Sequence, residues 1–139
     1  MKDRSTPAET LISFLGEMKM WEQSFFKQKM QFINEGKPTT ECNEKYNESL
    51  KHIFIRYSTN EKDNWARLGA PSCGDPTMYD PERDQLQATE FKGSEANITL
   101  VQAVGTKATF KFTLTKEDRT WKIKKKQTFR AGRWNSSAL

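Results

Sequence analysis

Three features of the sequence predict an α+β fold in which two N-terminal helices pack on a curved antiparallel sheet. Apolar residues recur at steps of three and four through the first 57 positions. A stretch rich in Gly and Pro breaks any regular element from about 60 to 84. From residue 85 the apolar period becomes two, the spacing of a half-buried strand. The 139 residues fit a single domain over 1–139, with its core between about 7 and 130. Val, Ile, Leu and Phe are few enough to approach the level of disordered chains. Nine Phe, four Trp and three Tyr offset this, because each aromatic ring buries a large area.

The first helix starts at Thr6-Pro7-Ala8-Glu9, where Thr6 can cap the open amides, Pro7 fits the first turn and Glu9 can reach back. Leu11, Phe14, Leu15, Met18, Trp21 and Phe25 then form one stripe. The pattern fades near Ile33, and Gly36 followed by Pro38 ends the helix. About 28 residues at ~1.5 Å each make it roughly 40 Å long. Phe26 lies off the stripe, and packing under a long loop is preferred to a pocket or partner contact. The second helix starts near Thr39-Thr40, buries Cys42, Tyr46, Leu50, Ile53, Phe54 and Tyr57, and ends near Ser58-Thr59-Asn60. In the irregular stretch after it, Trp65, Leu68, Met78 and Tyr79 are expected to pin the chain against the sheet, since a long loop needs anchors.

Four strands are expected after residue 85. Leu86, Ala88 and Glu90 alternate with polar neighbours up to Phe91; Ile98, Leu100 and Val104 share a face of the next run. Phe110, Phe112 and Leu114 mark the third, and Trp121 and Ile123 open the fourth, which extends towards Phe129. Gly93-Ser94, Gly105-Thr106 and Glu117-Asp118 supply the turns of an antiparallel meander. Its apolar face needs cover that only the two helices can give.

Residues able to do chemistry are sparse. His52 is the single imidazole and falls on the exposed flank of the second helix. Cys42 and Cys73 are too far apart for a zinc motif and read as reduced thiols of a cytoplasmic protein. No glycine-rich phosphate cradle or nucleophile elbow occurs. The carboxylate pairs Asp80/Glu82 and Glu117/Asp118 would need a buried member with a raised pKa to act as acid and base. No catalytic, metal-binding or cofactor-binding residues are assigned, and no cofactor is expected. No stretch approaches the ~18 apolar residues of a membrane span, and Met1-Lys2-Asp3-Arg4 does not open a signal peptide.

The net charge of +5 is uneven, with 11 basic and 3 acidic side chains in residues 92–139. In a regular strand Lys122, Lys124 and Lys126 project to one face and Ile123 to the other. The preferred reading is a solvated outer face that discourages edge pairing. A surface for an acidic protein partner comes second, making Lys122, Lys124, Lys126 and Arg130 the candidate partner-binding residues. Nucleic acid is third and disfavoured, because no aromatic platform stands between the lysines.

The helix containing Phe14-Leu15-Gly16-Glu17-Met18, Trp21-Glu22 and Phe25-Phe26 is one of three segments that share a likeness. The second is the loop Gly69-Ala70-Pro71-Ser72-Cys73-Gly74-Asp75-Pro76 running into Tyr79-Asp80-Pro81-Glu82-Arg83, and the third is the strand series closing on Trp121-Lys122-Ile123. Together, from about residue 7 to 130, these resemble the bacterial immunity proteins with a nuclear transport factor 2-like fold that accompany polymorphic toxins. The resemblance implies a cone-shaped, cystatin-like α+β domain. It implies that the protein binds a cognate toxin and blocks it stoichiometrically, without turnover. Within it, Trp21, Glu22, Tyr79, Asp80, Pro81 and Glu82 read as structural: Asp80 accepts local amides, Pro81 fixes the turn and Tyr79 buries its ring. The alternative is a small-ligand binder or an isomerase/dehydratase-like enzyme using the open end of the cone. A basic chain fits poorly into the basic active site of a nuclease toxin, which favours an acidic toxin surface or inhibition at a remote site. A homodimer through the sheet is compatible with the fold, although lysines on that face oppose it.

Overall fold

The computed structural model describes residues 6–105 and 107–139. The reading of Met1–Arg4, and the Thr106 half of the Gly105-Thr106 turn, lie outside the described residues. Helix α1 spans Pro7–Asn34 and helix α2 spans Thr40–Tyr57. Thr6 caps α1 as expected: its Oγ1 accepts from the Glu9 amide at 3.1 Å and donates to Glu9 Oε1 at 2.8 Å. Gly36 stops the helix with φ +69°, a left-handed value that a side chain resists. The α2 residues expected inside are the ones buried. The helices lock where Trp21 Nε1 donates to the Tyr46 carbonyl at 2.8 Å and the Tyr46 ring stacks on Phe25 at 4.9 Å.

The sheet is antiparallel and has six strands, not four. These are β1 (Gln85–Leu86), β2 (Glu90–Lys92), β3 (Glu95–Val101), β4 (Thr109–Glu117), β5 (Thr120–Arg130) and β6 (Arg133–Ser137). The order is β1-β3-β4-β5-β6, with β2 also paired to β3. The first expected strand is split, because both β1 and β2 share the one edge of β3. Strand β3 ends at Val101, so Val104 lies beyond it rather than on its face. The β4–β5 turn is centred one residue later than expected, with Asp118 and Arg119 both at positive φ and Glu117 paired to Thr120. Strand β6 escapes notice in the sequence because Arg133-Trp134-Asn135-Ser136-Ser137 does not alternate. It is formed by a tight turn at Ala131-Gly132, where both residues have positive φ, the hairpin geometry that matches strand twist.

One irregularity controls the chemistry of the sheet. Leu114 pairs with Ile123 but Thr113 pairs with Lys125, so Lys124 is an extra residue and β5 bulges there. A bulge inverts the inside–outside phase of the rest of its strand. Before it, Trp121 and Ile123 face the core and Lys122 faces out; after it, Lys126 faces in. The carbonyls of the bulge are held by the segment after α2. Thr59 N–H donates to the Ile123 carbonyl at 3.0 Å, and Asn64 Nδ2 donates to the Lys124 carbonyl at 2.8 Å. Asn64 sits in a 3₁₀ turn over Lys62–Trp65 and is fully buried.

The core lies between the helices and the concave side of the sheet. Tyr79, from the irregular stretch, stands at its centre with its ring 5.9 Å from Phe14, 6.1 Å from Phe110 and 6.1 Å from Phe112. Trp65, Leu68 and Met78 pack around the edge of the same cluster, and Leu139 is buried in it. The four loop anchors expected from the sequence therefore do pin the 60–84 stretch.

Removing the Asn64 amide strands the Lys124 carbonyl at the bulge, which costs about 1–3 kcal/mol. Asn64→Ala is expected to lower stability by that amount in urea denaturation, while His52→Ala on the exposed flank of α2 stays within about 0.5 kcal/mol of the parent.

Candidate functional site

Loop residues 72–84 run beside α1, and their peptide groups need partners there. Glu22, buried on α1, supplies two: its Oε2 accepts from the Gly74 amide and its Oε1 from the Met78 amide, each at 2.9 Å. Arg67 is buried beside it, 3.8 Å from Glu22 Oε1, donating to the Ser72 carbonyl at 2.9 Å and lying over the Trp21 ring. Arg83 clasps Asp84 through two nitrogens, at 2.6 and 2.7 Å, and donates to the Thr77 and Met78 carbonyls. Asp84, its side chain fully enclosed, accepts in turn from the Asp80 and Ala103 amides. Gln102 Nε2 adds a bond to the Met78 carbonyl at 2.9 Å, tying the loop to the end of β3. The sequence pattern reveals Glu22 and Asp80 but not Asp84, Arg67 and Gln102, which carry no signal in one dimension.

The loop and the sheet leave an open cavity of about 890 Å³ between them. Its walls are apolar at Met78, Ala108 and Phe110 and polar at Thr128 and Ser137, whose hydroxyls bond to each other at 2.6 Å. Lys126 forms part of the lining and is only 3% exposed. Its Nζ donates to the Tyr79 hydroxyl at 2.8 Å and sits 4.1 Å from the centre of the Phe110 ring. It pairs with no carboxylate among the described residues. Burial, with repulsion from Arg67 added, pushes the Lys126 ammonium down to about 7. Burial also raises the Tyr79 hydroxyl well above the usual phenol range, so it stays protonated. Cys73, also in the lining, has its thiol pKa raised by burial, the opposite of an activated nucleophile.

The four basic candidates do not share a face. The expected Lys122–Lys124–Lys126 row is broken by the bulge. Lys122 Nζ donates to the Ile55 and Arg56 carbonyls at the end of α2, capping that helix. Lys124 pairs with Glu95 at 2.6 Å, each partly exposed. Lys126 is inside, and Arg130 is exposed at the cavity mouth. The six residues of the likeness all lie along the loop and its support. Trp21 and Tyr79 are buried, and Asp80 Oδ1 accepts from the Glu82 amide at 3.0 Å and the Arg83 amide at 3.3 Å. Pro81 opens the turn that these bonds close. Against the opposing effect of burial, these amides and the Lys19 ammonium at 3.1 Å hold the Asp80 carboxyl below its usual value. It is therefore unsuited to general-acid work beside Glu82, which is exposed. His52 is exposed on α2, 3.5 Å from Glu48, and takes no part in the loop's support. Phe26 is half-buried. Cys42 is a buried free thiol and Cys73 a partly buried one. Among the described residues no cluster of His, Cys, Asp and Glu could hold a metal, and no helix is long and apolar enough to cross a membrane.

Residues 6–137, which carry this loop, bulge and cavity, match the family described as NTF2 fold immunity protein. The chain is also similar to Immunity protein RhsIA of Dickeya dadantii (strain 3937), with 26% identity over 129 residues that cover 93% of this chain and 91% of that protein. No solved structure matches the chain significantly.

The buried charges lead to two expected outcomes. Glu22→Ala leaves two loop amides without their acceptor and Arg67 without its ion-pair partner, and is expected to cost about 3 kcal/mol in chemical denaturation, with faster hydrogen exchange at Gly74 and Met78. Lys126 binds fewer protons folded than unfolded between about pH 7 and its ordinary value near 10.5. Its burial therefore destabilises the chain fully below pH 7, and the cost is relieved as pH rises through that window. Lys126→Met should be more stable than the parent at pH 6, by ~2 kcal/mol after loss of the Tyr79 bond, and this advantage should shrink by pH 10. Arg67, Glu22 and Tyr79, the other groups around it, are unchanged in the variant, so the pH-dependent difference reports Lys126.

Proposed function

The chain belongs to the NTF2 fold immunity protein family, and from that premise we propose that it neutralises one cognate toxin by binding it stoichiometrically, without turnover. Family membership across residues 6–137 is the observation that carries this reading. The buried chemistry supports it: the Glu22 carboxylate in the cavity lining has both oxygens engaged by loop amides. A net charge of +5 suits a toxin with an acidic face, which would gain encounter rate from the basic C-terminal third. Of the four candidate contacts, Arg130 is the most open to a partner, whereas Lys122 and Lys124 would have to leave or share internal bonds. The compartment in this reading is the cytoplasm, where two reduced thiols are at home.

Co-expression with the product of the neighbouring gene tests the proposal. Growth should be restored, the two chains should co-purify as a complex of fixed stoichiometry, and protection should end once toxin exceeds immunity protein. Protection by a small fraction of an equivalent would point to turnover and overturn it, as would protection with no complex. Arg130→Glu should slow association with the toxin several-fold at low salt and much less at high salt.

A further inference from the structure

Lys126 is an expensive residue for its position. It is buried in a cavity wall, it costs the fold stability, and a neutral side chain of similar length could fill the same space. Tyr79 needs only one hydrogen bond from it. An ammonium carries three donors. The Tyr79 hydroxyl takes one at 2.8 Å, and the Met78 sulfur, a weak acceptor, lies at 3.6 Å. The third has no acceptor among the described residues. The charge is softened only by the faces of Phe110, at 4.1 Å, and Tyr79, at 4.9 Å.

We propose that the cavity is a binding site for a small organic carboxylate, recognised by Lys126 at its floor. The volume of about 890 Å³ is that of a small-molecule site and far exceeds what one inserted side chain would fill. Apolar walls at Met78 and Phe110 suit the body of such a ligand, and the Thr128 and Ser137 hydroxyls lie on the same lining to share its oxygens. The charge balance selects an anion. Among the described residues Glu22 is the one carboxylate in the lining, and both its oxygens already hold loop amides, while Lys107 and Arg130 add positive charge at the mouth. A cleft of one sign with low-dielectric walls concentrates counter-ions. Ligand binding would supply the missing acceptor and keep Lys126 protonated. The proposal is separate from toxin neutralisation and does not depend on it.

The test uses the full chain with ¹⁵N-labelled lysine, titrated with benzoate and 3-phenylpropionate, and with benzyl alcohol and 3-phenylpropanol as uncharged partners of similar shape. The carboxylates should bind saturably, with Kd below about 1 mM. They should raise the Lys126 pKa by at least one unit, equivalent to at least tenfold tighter binding to the protonated form. The alcohols should bind at least tenfold more weakly. Lys126→Met should lose the preference for the carboxylates. Equal binding of acids and alcohols, an unchanged Lys126 pKa with benzoate bound, or no carboxylate binding up to 10-fold above that Kd would each overturn the proposal. The pKa readout needs no variant, so it stands independently of Lys126→Met. No toxin enters the assay, so a negative result leaves the neutralisation reading intact.

Discussion

Everything around the cavity depends on one requirement: the peptide groups of residues 72–84 enter a partly dry space and must be hydrogen-bonded there. No strand or helix is available to that segment, so side chains do the work. Glu22 on α1 takes the Gly74 and Met78 amides, Arg83 takes the Thr77 and Met78 carbonyls, and Gln102 takes a second bond to Met78. With the loop fixed on both sides, Tyr79 is delivered to the centre of the core, where four aromatic rings meet. The loop therefore serves as a wall of the core and, on its other side, as a wall of the cavity.

The bulge at Lys124 is the second determinant, and it acts through parity. One extra residue leaves the first half of β5 showing its lysine outward and the second half showing one inward. The outward positions are then drawn into structure, Lys122 capping α2 and Lys124 pairing with Glu95. The inward position becomes the floor of the cavity. Asn64 and Thr59 keep the bulge in place by bonding the carbonyls that it exposes. A basic run that looks uniform in the sequence is thus divided among three tasks by a single shift of register.

These features separate two surfaces of the molecule. On the exterior a basic C-terminal third meets solvent and Arg130 stands open. The cavity is walled by the sheet and the loop, and its chemistry is that of one buried ammonium against aromatic faces. Arg130 and Lys107 both stand exposed in the cavity lining, where the interior meets the surface.

Local pattern alone determined the two helices, their buried stripes, the loop anchors and the antiparallel character of the sheet. Thr6 to Pro38 and Thr39 to Asn60 carry start signals, period and stop signals within themselves, and Phe110-Lys111-Phe112 alternates wherever it is placed. The residues Trp21, Glu22, Tyr79 and Asp80 were also legible, through the segments that resemble the family. What the sequence could not show is what tertiary contact decides. Strand β6 exists because a turn at Ala131-Gly132 brings an unpatterned segment onto β5. The Asp84–Arg83 clasp and the Gln102 bond join residues whose partners come from elsewhere in the chain or from its backbone. Above all, Lys126 lies on the side of the sheet opposite to the one alternation predicts, because period-two alternation holds only while register is unbroken. The bulge that breaks it is fixed by Asn64, some sixty residues earlier, and only the folded chain brings the two together.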